Sequence, residues 1–430
     1  MELEDEMKRI GKIALVVLYL IACFFVWETV ENSINNKTSP LRNHIKIFDI
    51  KLGSVLSQEE CDFIDNHYDL FIGPAKCKRT KTFSYINVKS IPEVDSCEDY
   101  YLHYLKDVNK PFIFPDGLEN RLNVTGSDIP SKENRVPSVW SEDKYTINPK
   151  SKRTIDLKVK EARLNISNFN SFGVFIDGLV YEKKTMDYFN LRNTIEYAGK
   201  LKDDTPEFLK DQYKLVDSIR WHIQFPEIES TMITMGEDPI PPLLINAVHP
   251  WYLDSEFINR DLLINNFDWF LIENAIQYPF MNEEDFQQLN DIMWITDTNR
   301  YFLLHGINKT GTNEGNLFLL AVYYLIQNEN TFFGYRTDRI NELEWLKAIE
   351  FDIGKAVDEF PISEGDGLYS RRYEKGIVLA RFISDTENFV IRRLLLEEFR
   401  ILQSDGTLGD KEYKDAFPVS EGDGFILIYN

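Results

Sequence analysis

Two carboxylates close uncharged apolar runs, and they are the side chains best placed for chemistry. Asp177 follows Phe172-Gly173-Val174-Phe175-Ile176 and precedes Gly178. Glu273 follows Trp269-Phe270-Leu271-Ile272 and precedes Asn274. A short β-rich run bounded by turn residues reads as a strand buried on both faces, the kind found in parallel sheets. In α/β barrels the chemistry gathers at the C-terminal ends of such strands. A pair of carboxylates held there is what glycosidic cleavage needs. One protonates the leaving oxygen, and the other attacks or activates water. Apolar neighbours raise a carboxyl pKa, so Asp177 is expected as general acid/base and Glu273 as nucleophile or its equivalent. The plainer reading of Asp177 is a capping or turn aspartate. Glu273 resists such a reading, because a glutamate ending an apolar strand needs a partner.

Further candidates fall near the same strand ends. Asn246 and His249 end PPLLINAVHP (241–250), His305 ends RYFLLHG, and Tyr335 with Arg336 ends TFFGYR. Asn274 suits orienting Glu273 or binding a sugar hydroxyl, and Trp251 and Tyr278 suit stacking on sugar rings. Each of these also has an ordinary structural role open to it, above all the scattered histidines. No nucleophile elbow, Walker A loop or dinucleotide glycine pattern occurs in context, and no spacing resembles a zinc site. Neither metal nor cofactor is expected.

These residues need a scaffold, and the order of elements describes one. HIKIFDIKLG, DLFIGPA and TFSYINVKSI read as strands, the first two separated by a helix opening at Ser57-Gln58-Glu59-Glu60, a capping-box sequence. After Arg153, helical and strand patterns alternate through GVFID, LLINA, DWFLIEN, YFLLHG and TFFGYR, giving about eight strands. This predicts a (β/α)8 TIM-type barrel over 44–358, with an irregular insertion around 92–150. The phrase Phe-Pro-(Ile/Val)-Ser-Glu-Gly-Asp-Gly occurs at 360–367 and again at 417–424, each copy entering an apolar run. The repeats predict a small antiparallel β-domain over 359–430 with tight Gly-Asp-Gly turns. Calcium binding at the acidic repeats is a lesser alternative, since the spacing is not that of an EF-hand.

The order of DLFIG, GVFIDG, LLINAV and DWFLIENA, followed by RRYEKGIVLARF and FPVSEGDGFILI, resembles the glycoside-hydrolase-like TIM-barrel family with a C-terminal β-domain. The resemblance spans about 44–430. It implies that Asp177 and Glu273 occupy the strand-four and strand-six carboxylate positions and that the substrate is a polysaccharide or other glycan. A non-catalytic carbohydrate-binding or surface-structural protein on the same barrel is the alternative. It would carry its two carboxylates apart, or neutralised by Lys or Arg.

The N-terminus bears on location. Residues 13–27 are almost wholly apolar and follow Lys8, Arg9 and Lys12. With no small-residue cleavage site, this reads as an uncleaved signal anchor within 1–29, with a polar stalk at 30–43. A cleaved signal and a buried helix are the alternatives. Cations before the span place the N-terminus inside and the remainder outside the cell. Sequons at Asn36, Asn123, Asn165 and Asn308 fit an outward location, as does a disulfide among Cys61, Cys77 and Cys97, whose pairing stays open. A net charge of −22 over 430 residues argues against a nucleic-acid binder. No obligate protein partner is evident.

Overall fold

A computed structural model describes residues 45–52, 55–88, 90–92, 103–105, 121–123, 144–178, 207–224, 242–247, 267, 269–295, 300–337, 345–383, 389–391, 398–413 and 417–429. The expected anchor, the stalk, most of the insertion, His249 and Trp251 lie outside these residues. Among the described residues no helix is long and apolar enough to cross a membrane.

Eight parallel strands form one sheet in chain order: β1 (Phe48–Ile50), β2 (Leu70–Ile72), β3 (Lys81–Asn87), β4 (Gly173–Asp177), β5 (Leu243–Ala247), β6 (Trp269–Tyr278), β7 (Tyr301–Asn308) and β8 (Thr331–Thr337). The sheet closes on itself where Ile47 bridges Phe333 in parallel and the Phe333 amide donates to the Lys46 carbonyl at 2.8 Å. Closure gives each strand an inside and an outside, and the period of two decides which residues face which. Phe48, Leu70, Phe83, Phe175, Leu244, Trp269, Leu303 and Phe332 fill the interior with their neighbours of like parity. Within that plug Trp269 stacks on Tyr301 with ring centroids 4.0 Å apart. The alternate residues, among them Phe71, Ile86, Ile176, Ile272 and Leu304, join the core shared with the surrounding helices.

The helices are α1 (Gln58–His67), α2 (Lys152–Phe169), α3 (Glu207–Gln224), α4 (Glu283–Ile295) and α5 (Asn313–Ile326). The expected capping box opens α1. Ser57 Oγ accepts from the Glu60 amide, and the Glu60 carboxylate accepts from the Ser57 amide. Helix α5 is buried on every face from Phe318 to Ile326. One side meets the barrel and the other meets the C-terminal sheet, so a helix apolar all round is what this layer requires.

That C-terminal sheet has six antiparallel strands in the order β9-β10-β11-β14-β12-β13. They are β9 (Ile362–Gly365), β10 (Leu368–Tyr373), β11 (Gly376–Arg381), β12 (Phe399–Leu402), β13 (Leu408–Tyr413) and β14 (Gly424–Tyr429). The first repeat makes the β9–β10 turn, with Gly365, Asp366 and Gly367 all at positive φ (93°, 48° and 71°). Glycine carries such angles without strain, which accounts for two of the three residue types. The second repeat leads into β14, where Asp423 accepts from the Ser420 amide at 2.6 Å. Fully buried Arg381 ties the copies together. Its Nη1 donates to Val419 O at 2.9 Å and its Nε to Asp366 O at 3.3 Å. The repeated phrase is turn chemistry serving one buried guanidinium.

Asn308 shows how one turn is secured. It is 0% exposed, and its Oδ1 accepts from the amides of Thr310 and Gly311 and from Thr310 Oγ1. Its Nδ2 donates to Thr312 O and Asn316 Oδ1, both at 2.8 Å. The Asn308 sequon is therefore closed to a glycan in the folded chain. Asn308→Ala is expected to lower stability by about 1–3 kcal/mol by orphaning these groups, read as a drop in Tm.

Candidate active site at the C-terminal mouth of the barrel

The interior is apolar at the N-terminal side and turns polar where the strands end. By parity Tyr85 and Asn87 of β3, Asp177 of β4, Asn246 of β5, Glu273 of β6, His305 of β7 and Arg336 of β8 all continue the inward rows at that end. Register supports the grouping. Asn87 lies opposite Asp177, and Asn246 lies opposite Leu271, two residues before Glu273.

Asp177 is the best-held group among them. One carboxylate oxygen accepts from the Gly178 amide at 2.8 Å and from Asn246 Nδ2 at 3.0 Å; the other accepts from Tyr85 Oη at 2.9 Å. Asn87 Nδ2 donates to Tyr85 Oη at 3.1 Å, and Asn87 Oδ1 accepts from the Ser90 amide. Burial, and next the Asp177 charge, push the Tyr85 phenol up, so it stays protonated as the donor. Gly178 at φ 82° lets the chain leave the strand at once, and its carbonyl accepts from Gln212 of α3 at 3.3 Å.

Glu273 is aimed by a distortion of its strand. Ile272 pairs with Leu304 and Ile276 with Gly306, so residues 273–275 face the single residue His305. Asn274 carries φ 55° within this bulge, the kind of device that re-aims a side chain beside an active site. The same Asn246 nitrogen that reaches Asp177 also donates to Glu273 Oε2 at 3.0 Å. With both oxygens 3.0 Å from one atom, they lie no more than 6.0 Å apart. Glu273 is exposed to solvent on one side, with protein packed around the rest of its carboxyl. That partial removal from water raises its pKa above the ordinary glutamate range. The Asp177 charge adds to the rise, while the Asn246 hydrogen bond and the Arg336 charge oppose it.

His305 is 6% exposed, and neither ring nitrogen has a hydrogen-bond partner among the described residues. Burial first, then the Arg336 charge, bring its pKa down to about 3, so the imidazole is neutral at physiological pH. Among the described residues neither Asp177 nor Glu273 forms an ion pair with Lys or Arg, and no three His, Cys, Asp or Glu side chains converge as a metal site.

The structure places two of the sequence candidates away from the carboxylate pair. Tyr335 has outward parity, is buried in the helix-facing layer and stacks on Phe333, with centroids 5.7 Å apart. Its neighbour Arg336 is the residue on the inward row. Tyr278 lies beyond the bulge and packs on Phe318 of α5, 5.4 Å between centroids, beside the second repeat. It belongs to the junction between barrel and β-domain. Asn274 shapes the bulge, and its carbonyl accepts from Gln277 Nε2 at 3.4 Å. Sequence reading gave no role to Tyr85 or Asn87; barrel closure places Phe83, Tyr85 and Asn87 on one inward row.

Asn246 is the joint of the site. Asn246→Ala is expected to lower kcat/KM on a cleaved glycan by about 10–100-fold, the equivalent of one to two lost charge-assisted hydrogen bonds. The fold should be retained, as judged by an unchanged far-UV spectrum.

No protein-family model matches the sequence, and no curated protein matches it. Solved structures do resemble it in shape. The α-glucosyl transfer enzyme XgtA aligns with a TM-score of 0.45 at 8% identity, over 91% of this chain and 100% of its own. A maltogenic α-amylase, AmyB from Thermotoga neapolitana, gives 0.44 at 8% identity, over 89% and 98%. The cyclic α-maltosyl-(1→6)-maltose hydrolase of Arthrobacter globiformis gives 0.41 at 8% identity, over 91% and 100%. These scores are low, and the barrel with its C-terminal sheet is defined here by its own strand order and register.

Proposed function

We propose that the chain is a glycoside hydrolase that cleaves a polysaccharide through Asp177 and Glu273. The observation that carries this reading is the pair of carboxylates joined through one Asn246 nitrogen at the barrel mouth. Oxygens at most 6.0 Å apart favour direct attack over an intervening water, and so a retaining outcome. The environments favour roles opposite to those expected from sequence. Asp177, fixed by three donors, suits the nucleophile; Glu273, with its pKa raised, suits the general acid that then becomes the base. Neutral His305, whose ring nitrogens are buried, suits a supporting place behind the substrate, with the Arg336 charge near it. His249 and Trp251 remain candidates for substrate contact. The absence of an ion pair on either carboxylate, among the described residues, favours turnover over binding alone.

The apolar segment 13–27 supports a membrane-anchored protein with its barrel outside the cell, acting on a surface or environmental polysaccharide. The test is to incubate the purified chain with a panel of polysaccharides, measure new reducing ends, and follow the anomer by NMR. Release with net retention, lost in Asp177→Asn, is expected. Release that survives Asp177→Asn overturns the assignment, and inversion overturns the nucleophile role.

A further inference from the structure

Cys61 and Cys77 lie outside the site, and the mechanism uses neither. Cys61 is buried on α1, while Cys77 is half-buried in the β2–β3 connection, packed on the same core. The segment after Cys77 is fastened to that helix. The Asp65 carboxylate, one turn beyond Cys61 on the same face, accepts from the amides of Lys78, Arg79 and Thr80 at 2.8, 3.0 and 2.9 Å. Thr80 Oγ1 adds bonds to Ile64 O and Tyr68 O, both 3.2 Å. Together these bonds hold the segment that begins at Cys77 against the helix that carries Cys61, with both side chains packed on one core.

We propose that Cys61 and Cys77 form a disulfide when the chain meets an oxidising compartment, stapling α1 to the entry of β3. The reaction is exchange with a small disulfide such as oxidised glutathione. A thiolate of the pair attacks it, releasing one reduced glutathione. The partner thiol then displaces the second glutathione from the mixed disulfide, closing the S–S bond; both thiol protons pass to solvent or to the departing thiolates. Burial, and then the neighbouring Cys61 thiol, raise the Cys77 thiol pKa, so exchange is slow in the folded chain and faster while the segment is still loose. The staple would hold β3, whose Tyr85 secures Asp177, in a connection that lacks a helix of its own.

The experiment is tryptic mapping of the full chain, alkylated without reduction after exposure to oxidised glutathione. Cleavage after Lys76 separates the cysteines, so only a disulfide keeps Cys77-Lys78 with the peptide holding Cys61. That linked pair is expected, together with a Tm that falls by several degrees on adding reductant. The fall should vanish in the Cys61→Ala/Cys77→Ala double variant. Alkylation of both thiols in oxidised protein, or either cysteine joined to Cys97, overturns the proposal. If the double variant fails to fold, peptide mapping of the wild-type chain decides alone.

Discussion

Glu273→Gln is expected to lower kcat/KM on the cleaved polysaccharide by about 10²–10⁴-fold, the usual contribution of a positioned general acid. The amide keeps the shape of the carboxyl and still accepts from Asn246, so the lost function is proton donation. The same change should not harm the fold. The native pKa of Glu273 lies above its unfolded value. Across the interval between the two, the native chain holds more protons than the unfolded one, so stability falls as pH rises through that interval. Above it the deficit persists, because the folded protein then keeps a partly desolvated charge near that of Asp177. Glutamine carries no such deficit. The variant should therefore melt at or above the wild-type temperature near neutral pH, with the difference fading in acid, where wild-type Glu273 is protonated in both states. Wild-type activity should decline on the alkaline side as Glu273 loses its proton. Melting curves and pH–rate profiles of both chains are the measurements. A variant that keeps full activity, or that melts well below wild type at neutral pH, contradicts the assignment of Glu273 as the acid.

How much of this could be read without a structure depends on which residues carried their own context. Asp177 and Glu273 were legible because each ends an uncharged apolar run, where a charge must find a partner or solvent; that β6 continues past Glu273 through a bulge was not. The bridging Asn246 was legible as a strand-end residue, though its double hydrogen bond was not, since that requires three strands in register. Tyr85 and Asn87 were hidden for the opposite reason. TFSYIN mixes polar and apolar residues on both parities, and only barrel closure tells which row faces inward. At TFFGYR the ambiguity ran deeper. Phe332 and Phe333 are both aromatic, so the pattern left open which of Tyr335 and Arg336 faces inward. Tyr278 lay beyond a bulge, and bulges leave little trace in an apolar pattern. Asn308 matched a glycosylation triplet by type, while its position at a buried turn emerged only from the fold. The repeated FP(I/V)SEGDG phrase was read correctly as turns, but its shared partner Arg381 sits in the alternation of another strand and looks like any charged residue there.

Arg371 joins the two halves of the molecule, and its removal should have the largest effect on stability. The side chain is 4% exposed and rises from β10 against the C-terminal end of α5. Its Nη1 donates to the carbonyls of Tyr324, Leu325 and Gln327 at 3.2, 3.1 and 2.8 Å. Nε and Nη2 reach Asp358 O and Glu359 O, each at 3.1 Å. The last carbonyls of a helix have no partner within it and carry the negative end of its dipole, so a cation here satisfies both needs. Arg371→Leu would fill much of the space yet leave these acceptors buried and unpaired. The expected loss is about 3–5 kcal/mol, the range for removing one partner of a buried charged network. Arg371→Lys should recover part of it, because an ammonium keeps the charge but not the planar fork. The adjacent Arg372 supplies the control. It is exposed and pairs with Asp358 at 2.6 Å, so Arg372→Leu should cost less than Arg371→Leu. Denaturant melts of the three variants rank them. If Arg372→Leu proved the more damaging, the docking of barrel and β-domain would rest on the Asp358 pair and not on the capped end of α5.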